Sequence, residues 1–544
     1  MRPKPIGQRA RTGLARAAAV AAVLITAPAC TTTAAATSPT SPTSSPAPGP
    51  GHGTGTLVVT AGGAVRGKTV GPADEFLGIP YAAPPVGALR WQPPQPPAPW
   101  PGIRQAVSFA PHCPQPVSAF GVASTSEDCL YLNVFTPAAD HARNLPVMVW
   151  VHGGSLRTGE SDDYDPAGLV RLGVVVVTIN YRLGALGFLA DAALASRPGG
   201  PSGDYGLMDQ QAALRWVQRN IRGFGGDPGE VTLFGESAGG LSTLAQLISP
   251  GARGLFQRAI VESGTYDLTQ QPLAAAEAAG QAFAAKAGCA RDTAACLRRL
   301  PVPAILSHED PLGYTPDVDG AVLTQPVKTA LASGQFNHVP VVIGINRDEY
   351  RLFVAAIQLL GGQVTAAGYR SMIASTLGVT TAVARTIAAQ YPLGRYPSPP
   401  VALGAVATDA IFACHALSGE ESLSQYVPTY AYEFSDENAP ELFLPPTGFP
   451  YGAAHASELQ YLFDMTTAPR PASLSAAQQR LAAAMKQYWT SMAATGTPAA
   501  PAPAAAWPRF TRVSQQGLSL APPSPQAETG FAARHHCAFW APEP

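Results

Sequence analysis

Two nearly unbroken apolar runs, Val147-Met148-Val149-Trp150-Val151 and Val174-Val175-Val176-Val177-Thr178-Ile179, constrain the fold of this chain more than any other feature. A strand with one wet face alternates apolar and polar side chains, because successive side chains point to opposite sides of the sheet. These runs leave no polar face, so both sides must be covered, as in strands of a mainly parallel sheet flanked by helices. Shorter runs at Leu57 to Val59, Tyr131 to Phe135, Val231 to Phe234 and Val339 to Gly344 read as further strands. Between them, Met208 to Ile221 carries Leu214, Val217 and Ile221 at helical spacing, and Ala-rich helical stretches occupy Pro272 to Gly288 and Ala476 to Ala494. The alternation predicts an α/β architecture: a mostly parallel central sheet, helices on both faces, and large helical and loop insertions.

A chain of 544 residues that is 46% hydrophobic and 13% charged can bury a large core, and a formal charge of -1 supplies no field for attracting nucleic acid. A small-molecule substrate is expected instead. The first residues have the grammar of an export signal: basic Arg2, Lys4, Arg9, Arg11 and Arg16, an apolar run from Ala17 to Ala27, and small residues before Cys30. Residues 1–29 are read as a removed leader, 30–55 as a Thr/Ser/Pro-rich tether and 56–544 as the folded domain. Ala27-Pro28-Ala29-Cys30 suits ordinary signal cleavage and also resembles a bacterial lipoprotein signal, both cutting before Cys30. The chain has seven cysteines, so pairing six leaves one over, and Cys30 at the start of the tether is the natural remainder. Lipidated Cys30 would anchor the protein to the outer face of the cell membrane, whereas plain cleavage would release it.

Chemistry concentrates at Gly235-Glu236-Ser237-Ala238-Gly239, which stands between the strand ending at Phe234 and a helix beginning near Ala238. A sharp strand-to-helix turn crowds the backbone; it demands glycines on either side and pushes a serine hydroxyl out at the edge of the sheet. A serine hydroxyl is a weak nucleophile and needs a base, itself oriented by an acid. With chain order Ser, acid, His, the bases available are His415, His455, His535 and His536. His415 adjoins Cys414, and His535 and His536 adjoin Cys537, whereas His455 sits in a small-residue loop, Tyr451-Gly452-Ala453-Ala454-His455. The acid is sought in Asp348-Glu349, directly after the strand ending near Ile343, and position alone does not separate the two. Trp150-Val151-His152-Gly153-Gly154-Ser155 follows a buried strand and offers backbone N–H groups to an oxyanion, with Ala238 giving another.

With these parts assembled, the sequence resembles the type-B carboxylesterase and cholinesterase family from about Thr56 to Trp540. The resemblance rests on Phe76-Leu77-Gly78-Ile79-Pro80-Tyr81-Ala82, Ser126-Glu127-Asp128-Cys129-Leu130-Tyr131-Leu132-Asn133-Val134, Asn180-Tyr181-Arg182-Leu183-Gly184, Gly225-Gly226-Asp227-Pro228 and the Ser237 segment. It implies the α/β-hydrolase fold and hydrolysis of carboxylic esters, with Ser237 as nucleophile, Glu349 as triad acid and His455 as base. The oxyanion hole would be Gly154, Ser155 and Ala238, and the disulfides Cys113 to Cys129, Cys289 to Cys296 and Cys414 to Cys537. Two departures stand out. The third glycine usual at the oxyanion loop is Ser155 here, which can supply its amide if its backbone angles are ordinary. The loop between Cys113 and Cys129 contains only Phe120 as an aromatic, which argues against choline esters, since a quaternary ammonium is held by an aromatic face. Thioester or amide cleavage on the same fold, or a noncatalytic binding role, are the competing readings. No cofactor or metal is expected, and oligomeric state and acyl preference are not legible.

Overall fold

The computed structural model describes residues 56–138, 144–195, 200–310, 314–465 and 467–541. The expected leader, the tether and Cys30 lie outside the described residues. Eleven strands make one sheet: β1 (Lys68–Val70), β2 (Ala73–Pro80), β3 (Tyr131–Pro137), β4 (Leu145–Val151), β5 (Val175–Ile179), β6 (Gly226–Glu236), β7 (Arg258–Glu262), β8 (Val341–Asn346), β9 (Thr429–Phe434), β10 (Gly517–Leu520) and β11 (Gln526–Glu528). Their spatial order is β11-β10-β9-β8-β7-β6-β4-β5-β3-β2-β1. The seven strands from β10 to β5 run parallel, and antiparallel strands finish both margins. The two apolar runs predicted this mostly parallel α/β sheet, and it is the α/β-hydrolase architecture that the family resemblance implied.

The helices that matter for the site are α1 (Tyr205–Asn220), α2 (Ala238–Ile248), α3 (Arg351–Leu359), α4 (Pro399–Ala407), α5 (Cys414–Leu423) and α6 (Ala476–Thr495). Alternation within β4 and its neighbours feeds two cores. Val147, Val149, Val177, Leu233 and Val261 pack with α1 and α2 on one face; Met148, Trp150, Val176, Phe234 and Ile260 pack with α6 on the other. Each such buried side chain contributes about 1.5–3 kcal/mol, so a polar residue on either face of these strands would be costly. Leu57–Thr60 does form a strand, but in a separate three-stranded sheet with Gly63–Arg66 and Ile103–Gln105.

Between β8 and β9 lies a helical insertion with its own apolar cluster, built from α3, α4, α5 and the helices Tyr369–Leu377 and Thr381–Gln390. A π-helical turn, Thr408–Ala413, joins α4 to α5. The run Pro399–Leu423 is long and apolar enough to cross a membrane by length and composition, but most of it is buried within the protein. Three disulfides are present, Cys113–Cys129, Cys289–Cys296 and Cys414–Cys537, as an oxidising compartment allows.

The last of these disulfides lies beside a buried ionic bridge. His535 places Nδ1 2.5 Å from Asp409 Oδ1 on the π-helical turn and Nε2 2.5 Å from Glu433 Oε1 on β9. Burial alone would lower the His535 pKa, but the two carboxylates overcome it and raise it to about 9. A folded-state pKa above the unfolded one stabilises fully below the unfolded value, about 6.5, and the benefit is lost as pH rises toward 9. His535→Gln should therefore cost about 3–5 kcal/mol in urea unfolding at pH 6, the scale for breaking a buried pair. The gap from wild type should narrow by pH 10; an equal gap at both values would mean the bridge is not ionic.

Candidate active site

The nucleophile candidate owes its position to a backbone with no room to spare. β6 ends at Glu236 and α2 begins at Ala238, so Ser237 alone makes the turn, at φ 55° and ψ −119°. A non-glycine residue held there costs about 1–3 kcal/mol and persists only where its surroundings impose it. They do: a Cβ on Gly235 would lie 2.5 Å from the Val151 carbonyl oxygen, and one on Gly239 would lie 1.9 Å from the same atom. The Ser237 N–H donates to the Glu262 carbonyl at 2.9 Å, tying the turn to the end of β7.

His455 comes from the loop after β9 and meets the loop after β8. Its Nδ1 is 2.5 Å from Glu349 Oε2, and Glu349 Oε1 accepts from the Asn346 N–H at 2.8 Å. Both residues are buried. The geometry separates the two acids that position in the sequence could not. Asp348 turns away: its carboxylate accepts from Arg347 at 2.7 Å, Arg351 at 2.8 Å and the Ala453 N–H at 3.0 Å. Asp348 thus holds the His455 loop, and Glu349 faces the ring. His535 is engaged elsewhere, in the bridge to Asp409 and Glu433, and His415 is buried, which lowers its pKa to about 4.

The other ring nitrogen, His455 Nε2, lies 3.2 Å from Glu236 Oε1. A Cβ on Gly153 would fall 2.9 Å from Glu236 Oε2 and 3.1 Å from Ser237 Cβ, so the Gly153 backbone, the Glu236 carboxyl, the Ser237 side chain and the imidazole edge share one small volume. Glu236 was not singled out from the sequence; its place inside Gly-x-Ser-x-Gly was the available signal. Burial pushes the Glu236 carboxyl well up, with Glu458 and Glu349 adding to the rise against His455. Burial would lower the His455 pKa, but the neighbouring carboxylates raise it. Glu236 is foremost among these carboxylates, followed by Glu349 and then Glu458. Phe353 and Phe412 pack on the ring at centroid distances of 5.1 and 5.4 Å and leave it an apolar setting.

Beyond β4 the chain makes a tight turn, with the Gly154 carbonyl accepting from the N–H groups of Arg157 at 3.1 Å and Thr158 at 2.9 Å. Gly154 has φ 95°, and a Cβ there would sit 2.0 Å from the Thr158 oxygen. Ser155 has φ 59° and Leu156 φ 57°, so the condition of ordinary angles at Ser155 is not met: this residue stands in left-handed backbone, where glycine is the low-cost choice. The N–H groups of Gly154, Ser155 and Ala238 donate to no protein acceptor among the described residues. Two supports went unseen in the sequence. The His152 ring, its pKa lowered to about 4 by burial, stacks on Tyr181, whose hydroxyl donates to the His152 carbonyl at 2.8 Å. Gln115, from the Cys113–Cys129 loop, accepts from the Gly159 N–H at 2.7 Å and donates to the Gly159 carbonyl at 3.1 Å.

A hydroxyl at a strained turn, an imidazole oriented by a buried carboxylate and unpaired amides beside them can together support acyl transfer. Comparison with known proteins agrees. The model of the carboxylesterase family matches residues 54–540. The chain is 36% identical over 482 residues to a fumonisin B1 esterase of Sphingopyxis macrogoltabida, covering 83% of this chain and 84% of that one. It is 35% identical over 488 residues to a para-nitrobenzyl esterase of Bacillus subtilis, covering 85% and 94%, and 33% identical over 506 residues to a human cocaine esterase, covering 88% of each. With the matching family model spanning nearly the whole folded region, the chain belongs to the carboxylesterase family and is a carboxylesterase.

Proposed function

We propose that this carboxylesterase works through a covalent acyl-enzyme on Ser237, with His455 as general base and then acid, and Glu349 orienting the ring. The observation that carries this reading is the 2.5 Å contact between His455 Nδ1 and Glu349 Oε2, with Nε2 lying 3.2 Å from Oε1 of Glu236, the residue before Ser237. In the first half-reaction Ser237 Oγ bonds to the ester carbonyl carbon, its proton passes to His455 Nε2, and the alcohol leaves with that proton. Water then repeats the attack, with His455 again taking the proton, and releases the acid. The oxyanion formed in each half would be held by the N–H groups of Gly154, Ser155 and Ala238, which have no other acceptor among the described residues.

A fluorophosphonate should label Ser237 and nothing else, as read by peptide mapping. Glu349→Gln should lower kcat by about 10³- to 10⁴-fold, the cost of a lost orienting carboxylate, while Asp348→Asn costs far less. The reverse ranking would transfer the role to Asp348. Matched esters, thioesters and anilides distinguish this reading from thioester or amide cleavage.

Position 155 has to supply an amide in left-handed backbone. Ser155→Gly relieves the positive φ and should keep kcat within about threefold. Ser155→Val, branched at Cβ, should lower both the melting temperature and kcat, the latter approaching the roughly 10²-fold loss of one donor. A large loss in the glycine variant would instead give the hydroxyl a direct role.

Three disulfides are consistent with export. Residues 1–29 serve in this reading as a cleaved leader, with Cys30 as a lipid anchor on the 30–55 tether. Cys30→Ala should shift the enzyme from the membrane fraction to the soluble one with specific activity unchanged; unaltered fractionation would overturn the anchor.

A further inference from the structure

The turn that carries the candidate oxyanion amides is strained, and it is held from outside. Gly154, Ser155, Leu156 and Gly159 have φ of 95°, 59°, 57° and 116°. Left-handed angles at the two non-glycine residues persist only where neighbours impose them. The Leu156 carbonyl is anchored by the Gly184 N–H at 2.7 Å. Gly159, at the far end, lies directly under the loop, where a Cβ would collide with the His152 ring and the Gly153 carbonyl oxygen. One side chain holds both of its backbone groups: Gln115 accepts from the Gly159 N–H at 2.7 Å and donates to the Gly159 carbonyl at 3.1 Å. Gln115 belongs to the Cys113–Cys129 loop, which is folded back on itself, with Gln115 and Ser124 exchanging backbone N–H···O bonds at 3.0 Å in each direction. A Cβ on Gly121 of the same loop would lie 2.9 Å from the Gly159 nitrogen, so the loop rests on the end of the turn.

His112, beside the first cysteine of that loop, uses both ring nitrogens. Its Nδ1 lies 2.9 Å from Glu160 Oε2 and its Nε2 3.0 Å from Asp162 Oδ2. Only a protonated ring can donate to two carboxylates at once. The bonds to Asp162 and Glu160 raise the His112 pKa to about 10, against a lowering by burial. Glu160 is buried and also accepts the Val122 N–H at 3.0 Å, so the chain just past Gly159 is stitched to the loop from both sides. The Cys113–Cys129 disulfide closes the loop on itself and makes no bond to the turn. We propose that His112 and Gln115 are positioning residues for ester hydrolysis, clamping the Cys113–Cys129 loop onto residues 159–162 so that the Gly154 and Ser155 amides stay aimed at the oxyanion. This rests on the oxyanion hole proposed above. Without the clamp the turn relaxes toward ordinary backbone and the amides move, and a displacement of about 1 Å is enough to cost on the order of 10²-fold in rate.

The test compares the full-length enzyme with its Gln115→Met and His112→Asn variants, using a para-nitrophenyl ester and a trifluoromethyl ketone of similar shape. The ketone carbonyl takes up Ser237 Oγ and places an oxyanion in the hole. Each variant should lower kcat about 10- to 100-fold with KM within about twofold, and should weaken the ketone in proportion to kcat/KM. Val58→Ala, a core change in the separate three-stranded sheet, should lower the melting temperature with kcat unchanged, so instability alone does not give this pattern. The clamp holds while His112 is charged and is lost as pH rises through about 10. Wild-type kcat should fall there, and His112→Asn should lack that limb. Asp163 and His152, the other titratable groups that feel the ring's charge, titrate at about 7 and about 4 and do not produce it. Gln115→Met serves alone if His112→Asn does not fold. If Ser155→Val weakens the ketone but a folded clamp variant does not, or if the alkaline limb persists in His112→Asn, the clamp is overturned. If Ser155→Val binds the ketone like wild type, the hole lies elsewhere and the clamp falls with it. A chelator that lowers wild-type kcat, with zinc restoring it, would overturn the clamp in favour of a metal on His112, Glu160 and Asp162.

Discussion

The site depends on one close approach of backbone to backbone, where the end of β4 lies against the turn between β6 and α2. The Val151 carbonyl stands where a Cβ on Gly235 or Gly239 would have to be. Because both strands are locked in the middle of a sheet buried on both faces, neither can retreat, and the strain at Ser237 has nowhere to relax. The same contact aims the Gly153 to Ser155 loop at the same point, so the hydroxyl and the unpaired amides are positioned by one feature rather than two.

Around that point the protein concentrates buried acid. Glu236, Glu262, Glu349 and Glu458 are all essentially inaccessible, and only Glu349 takes the inner face of the imidazole. Glu262 is bonded by the Trp489 indole at 3.0 Å and Glu458 by the Asn346 amide, and burial pushes both carboxyls up. These bonds keep a buried hydrogen-bonded scaffold under the turn. Glu349 meets the inner nitrogen of His455, and Glu236 lies at the outer one.

What the sequence disclosed follows from how locally each feature is written. Unbroken apolar runs at Val147 and Val174 predict strands covered on both faces, and the structure has them; the Ser237 turn carries its own glycines. Asp348 and Glu349 could not be told apart by position, because what separates them is contact with Arg351 and Ala453 on one side and with His455, 106 residues away, on the other. Ser155 misled for a different reason: its left-handed angle is imposed by the turn that Thr158 closes, and serine there gives no sign of it. The helices Tyr369–Leu377 and Thr381–Gln390 and the π-helical turn were illegible because each is too short to repeat an apolar stripe over several turns.

The π-helical turn belongs to two neighbourhoods at once. Its Asp409 receives His535, and three residues later its Phe412 lies against the His455 ring, while Cys414, next in line, is bonded to Cys537. Residues 535 and 537 thus brace, through Asp409 and Cys414, the short segment that carries an aromatic wall of the site. A pull on either bond would reach the His455 ring through a single turn of backbone, so the edge of the molecule and its catalytic imidazole candidate share one mechanical support.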